Sequence, residues 1–140
     1  MAKPPEYGPP LSLFDAKRVM AACEAVCADR GWPMVITIVD PGARLVLHHT
    51  LDGAQGASVV IAKAKADCAV GFRRATREFE DRVAQGGANL KLLALPGMVP
   101  VEGGVPLMRH GKVIGAVGVS GMASHEDGEV AKAGAAAIVD

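Results

Sequence analysis

Val105-Pro-Leu-Met-Arg-His-Gly-Lys-Val-Ile-Gly-Ala-Val-Gly-Val119 is the stretch that decides the fold. Apolar residues flank His110-Gly111, and the whole reads as strand, turn, strand. So short a connection joins antiparallel neighbours, because a parallel crossover needs about a dozen residues or more. A second pair lies upstream. Met34-Val-Ile-Thr-Ile-Val39 and Arg44-Leu-Val-Leu-His-His49 flank Asp40-Pro-Gly-Ala43, whose residues favour a turn. Alternation on the later strand places Leu45, Leu47 and His49 on one face, with Val46 and His48 on the other.

Helical patterns surround the two hairpins. Leu13, Ala16, Met20, Cys23 and Cys27 recur at three- and four-residue steps after Ser12, whose spacing to Asp15 suits a capping box, and Gly31 ends the run. Residues 57–72 are rich in Ala and Val, and Lys63 can pair with Asp67 one turn on. Thr76 is the expected cap of a charged helix, Arg77 to Gln85, stopped by Gly86-Gly87. Residues 88–100 read as irregular, and a last helix is expected over 124–138. The predicted class is α+β: a small antiparallel sheet built from hairpins and covered by helices. Residues 11–140 form a single domain, preceded by an extended Pro-rich arm over residues 1–10.

Lys plus Arg equals Asp plus Glu, at 15 each, so the chain has no net basic field with which to hold nucleic acid. No apolar run approaches the roughly 20 residues that span a bilayer. The N-terminus lacks the apolar core of a secretory signal, and a cytoplasmic location is expected. Three cysteines, Cys23, Cys27 and Cys68, do not make a disulfide framework.

The candidate chemistry gathers where the last strand meets the last helix. Gly115, Gly118 and Gly121 do not have the spacing of a dinucleotide fingerprint. Such glycines mark places where another backbone or a ligand comes close. Ser124 and Asp127 have capping-box-like spacing, so Asp127→Asn is expected to cost about 1 kcal/mol or less. The segment from Gly118 to Asp127 is predicted to line a pocket as well as to start the helix. Ser120, Gly121 and His125 would face the ligand there, opposite Lys65 and an anion-binding turn at Gly103-Gly104. Among the histidines, adjacent His48 and His49 point to opposite faces, and no pair has helical metal-site spacing, so no metal site is expected. His49 and Asp127 are the candidates for moving a proton.

In order and spacing the chain resembles the GlcG/HbpS family of haem-degrading-domain proteins, which includes the C-terminal domain of PduO-type proteins. The likeness rests on Ile38-Val-Asp-Pro-Gly42, Leu51-Asp-Gly-Ala54 and Ala62-Lys-Ala-Lys65. It continues through Gly103-Gly-Val-Pro-Leu107, Gly111 to Gly121, Glu126-Asp127 and Ala131-Lys-Ala-Gly-Ala135. It implies a homo-oligomer, often an octamer, and haem as a candidate cofactor. His48 and Thr50 stand where family members often carry an aromatic and an arginine. Two functions fit these residues. One is a small-ligand binder, with haem held by His48, His49 or His125 and its propionates by Lys65, Arg73 or Arg74. The other is a cofactor-independent enzyme acting on a small oxo-acid or aromatic-catabolism product, with His49 or Asp127 as the proton carrier.

Overall fold

The computed structural model describes residues 2–140. Helix α1 (Leu13–Arg30) begins at a full capping box, with the Ser12 hydroxyl accepting from the Asp15 amide, and ends on Gly31 in the left-handed conformation. Strands β1 (Val35–Val39) and β2 (Leu45–Thr50) form the first hairpin. Helices α2 (Ala57–Phe72) and α3 (Thr76–Gln85) follow, then a 3-10 segment, Gly87–Ala94. Strands β3 (Gly104–Arg109) and β4 (Lys112–Ser120) form the second hairpin, and α4 (Ser124–Ala135) closes the chain. The sheet is antiparallel throughout, in the order β2-β1-β4-β3. The fold is therefore α+β, as the two hairpins imply.

The strands sort their side chains to two apolar layers. On one face, Ile36, Ile38, Val117 and Val119 pack with Met20, Cys23 and Cys27 of α1 and Val130 of α4. On the other, Val39, Val113 and Ala116 meet Ala66, Ala69 and Val70 of α2. Two glycines set the depth of this packing. A Cβ on Gly118 would lie 2.0 Å from the Ala62 carbonyl oxygen, so α2 rests directly on β4. A Cβ on Gly134 would lie 2.4 Å from Cys23 Sγ. The close approach at Gly134 packs α4 against α1 inside the chain. Cys23, Cys27 and Cys68 are all buried and unpaired. Burial pushes the Cys23 thiol up to about 12 and the Cys27 thiol up to about 11, the charge of Glu24 adding to the effect at both.

Four local expectations are corrected. Val39 pairs with Leu45 and Ile38 with Leu47, so Val46 is an extra, bulged residue. The bulge reverses the alternation: Leu45 joins His48 on the α2 side, and Val46 packs with the α1-side core. Leu13 is half exposed, because Leu11 fills that end of the core with its amide bonded to the Ile114 carbonyl. Thr76 does not cap α3; its hydroxyl accepts from the Gly104 amide at 2.9 Å, and Ala75 is the N-cap. Ser124 does not cap α4 either. The N-cap is Ala123, whose amide donates to the Glu126 carboxylate at 3.2 Å.

The N-terminal arm lies along the sheet. Glu6 and Gly8 exchange backbone hydrogen bonds with Val113, and the Tyr7 hydroxyl donates to the Val70 carbonyl. Arg73 and Arg74 donate to the carbonyls of Pro5 and Ala2, which commits both guanidiniums to the arm. Among the described residues no helix is long and apolar enough to cross a membrane.

Candidate functional site

The structure brings one group of the predicted residues together. Lys65 Nζ donates to Asp127 Oδ2 at 2.9 Å and to the Val119 carbonyl at 3.0 Å. Asp127 Oδ1 accepts from the Met122 amide at 3.0 Å, which fixes the first turn of α4. The two side chains are only 2% and 4% exposed. Burial pushes the Asp127 carboxyl up, and Lys65 and the Met122 amide offset part of that rise. Gly103 and Gly104 seal the pair: a Cβ on Gly103 would fall 2.8 Å from Lys65 Nζ, and one on Gly104 would fall 2.3 Å from the Lys65 carbonyl oxygen. The Gly104 amide, expected as an anion donor, is given to Thr76. Ser120 is bonded to Ser58 at 3.0 Å in the interior, and Gly121 packs against Pro33 and Met34.

This geometry corrects the expected cost of Asp127→Asn. The residue is the counter-ion of a sealed ammonium rather than an exposed cap. Losing its charge leaves Lys65 buried and uncompensated, a defect of about 3–5 kcal/mol.

The histidines are dispersed. His125 is exposed on the first turn of α4. His48 sits on the α2 face, with Nδ1 2.8 Å from the Thr37 hydroxyl and Nε2 3.1 Å from the Thr50 hydroxyl. Both of its ring nitrogens are therefore occupied. It borders an apolar cleft of ≈ 390 Å³ with Leu45, Val59, Val60 and Lys63. On the other face, His49 Nδ1 lies 2.5 Å from Glu24 Oε1 on α1. This dyad is open to solvent, at 45% and 36% exposure. It borders a groove of ≈ 250 Å³ whose other walls are Lys17, Met20, Ala21 and Leu47. Glu24 also borders a neighbouring cleft of ≈ 500 Å³ with Trp32, Leu51 and Asp52.

Glu24 is the residue that sequence reasoning missed. Its partner lies 25 positions away, so no spacing motif joins them. The available signal was indirect. Strand alternation turns His49 toward α1, and Glu24 stands beside the buried stripe of that helix.

A four-stranded antiparallel sheet between α2 and the α1–α4 pair defines a small α+β domain, with a histidine–carboxylate dyad in an open surface groove. Residues 11–136 match the family of haem-degrading HbpS-like proteins, and the chain belongs to that family. It is 36% identical over 119 residues to an uncharacterized 15.0 kDa protein of the dhaT-dhaS intergenic region of Citrobacter freundii, covering 84% of each chain. It is 33% identical over 110 residues to the protein GlcG of Escherichia coli K12, covering 79% of this chain and 81% of that one. The crystal structure of a PduOC:heme complex superposes with a TM-score of 0.83 at 30% identity, covering 92% of this chain and 95% of that one.

Proposed function

We propose that the protein binds haem in the α1–β2 groove through His49, as a homo-oligomer. The observation that carries this reading is the Glu24–His49 hydrogen bond. A carboxylate at Nδ1 holds the proton there and leaves Nε2 with a free lone pair, the arrangement found repeatedly behind metal-ligating histidines. The rest of the donor set fits the group. Met20, Ala21 and Leu47 offer apolar contact to a porphyrin, and Lys17 offers a cation to a propionate. His48 is a weaker candidate because both of its nitrogens are engaged. When bound, haem would supply the iron chemistry; His49 would hold it, Glu24 would orient His49, and Met20, Ala21, Leu47 and Lys17 would position the porphyrin.

Membership of the HbpS-like family and likeness to a haem complex support the same reading. Self-assembly is supported by apolar side chains left on the surface. Leu45, Val60 and Leu93 are 57%, 73% and 57% exposed, and they lie on β2, α2 and the 3-10 segment. The enzyme reading has less support where it relies on Asp127, whose carboxyl is sealed against Lys65.

Haemin titration of the purified protein tests the proposal, with His49→Ala, His48→Ala and His125→Ala measured in parallel and light scattering run on each sample. The wild type, His48→Ala and His125→Ala should develop the same Soret band, and His49→Ala should lose it. An unchanged spectrum for His49→Ala would remove the site, and a monomeric mass at micromolar concentration would remove the assembly.

A further inference from the structure

Glu24 occupies an unusual electrostatic position. It sits on α1 between two buried residues of the same stripe, Cys23 and Cys27, so its backbone is held firmly against the core. Among the described residues, its only ion-pair partner within 4.0 Å is His49; Lys17 borders the same groove without pairing to it. The carboxylate therefore directs its charge at a single imidazole. The contrast with His48 is instructive, since that ring is held by two neutral hydroxyls, one at each nitrogen. Two histidines adjacent in sequence thus have opposite settings. One is held at both ring nitrogens by hydroxyls, and the other is open at Nε2 and backed by a negative charge.

We infer that Glu24 is a positioning residue that orients His49 and enriches its Nε2, so that the groove favours ferric over ferrous haem. This rests on the haem reading given above. The physical reason is electrostatic. A carboxylate that draws the Nδ1 proton toward itself raises the electron density at the opposite nitrogen. An electron-rich axial ligand and a nearby negative charge both stabilise the higher oxidation state of the iron, and hydrogen bonding behind the ligand is one of the levers by which a protein sets a haem potential. Glu24 needs no contact with the porphyrin to act in this way.

Glu24→Gln separates charge from shape, because the amide keeps an oxygen opposite Nδ1–H. The full chain is loaded with haemin, and three quantities are read: haemin affinity, the reduction midpoint of the bound iron, and the ferric and dithionite-reduced spectra. The Gln variant should retain a histidine-type spectrum, bind haemin about 10- to 100-fold more weakly, and show a midpoint shifted to more positive potential. Glu24→Ala, which also loses the orienting oxygen, should bind more weakly still. A Gln variant with wild-type affinity and wild-type midpoint would overturn the inference while leaving His49 as the ligand. If His49→Ala itself binds haemin normally, the haem site and the role of Glu24 fall together. The two failures are therefore distinguishable.

Discussion

Two of the acid–base pairs that bridge distant elements differ in nearly every respect. Lys65–Asp127 joins α2 to α4 with both side chains almost wholly buried, whereas Glu24–His49 joins α1 to β2 with both side chains open to solvent. The first pair is closed in: Gly103 and Gly104 pack over Lys65, and the Val119 carbonyl and Met122 amide take further hydrogen-bonding positions. The second pair leaves a ring nitrogen uncommitted beside a groove. Charge in the interior therefore ties the helices together, and charge at the rim stays accessible to solvent. A third pair, Asp15–Arg109, lies between these extremes at 15% and 29% exposure, and it ties α1 to β3.

The comparison predicts a graded series of effects. The sealed pair should be the most sensitive. Lys65→Met or Asp127→Asn alone should destabilise the fold by about 3–5 kcal/mol in urea unfolding. The double variant should lose distinctly less than the sum of the two. If the two losses simply add, the two residues do not act as a coupled pair.

The half-buried pair should matter less and should depend on pH. Asp15 is held below its ordinary value of 3.8, first by its hydrogen bond from Arg109 and then by the Ser12 contacts, against the opposing effect of burial. A carboxyl lowered in the folded state contributes stability that is complete above its unfolded value and is lost as pH falls through the folded one. Asp15→Asn should therefore cost about 1 kcal/mol at neutral pH, and the gap to the wild type should narrow as the pH is taken below 3.8. A gap that is constant across that range would break the assignment.

The open pair should matter least to the fold. His49→Ala and Glu24→Gln should each change stability by no more than about 0.5 kcal/mol, since exposed ion pairs contribute little. A larger loss would make the dyad a structural tie like the first pair, and would blur the distinction between rim and interior.

The scaffold was far more legible in the sequence than the site. Helix α2 follows its Ala- and Val-rich run from Ala57 to Phe72, and both hairpins follow their turn residues, because these signals are local. The bulge at Val46 was hidden, since no glycine or proline marks it and the turn before it sets the register. The cap of α4 was misread because Ser124 and Glu126 both offer side-chain partners near the helix start, and only the backbone geometry decides between them. Lys65 and Asp127 were expected to lie near one another, yet nothing in a linear chain tells whether a charged pair ends sealed or wet. Glu24 was silent because an acidic residue on an amphipathic helix looks the same whether it meets water or a histidine.

The three buried thiols have a practical consequence. The thiolate is the form that alkylating reagents and oxidants attack, and burial keeps all three sulfurs protonated in the folded protein. Cys23 and Cys27 lie beneath α1 on one side of the sheet, while Cys68 lies on α2, which covers the other. Each should become more reactive when what covers it lifts: α4 for Cys23, whose thiol donates to the Val130 carbonyl, and the segment bearing Val99 for Cys68. The molecule thus carries an internal clock for local opening, and the order in which the sulfurs acquire a label tells which cover opens first.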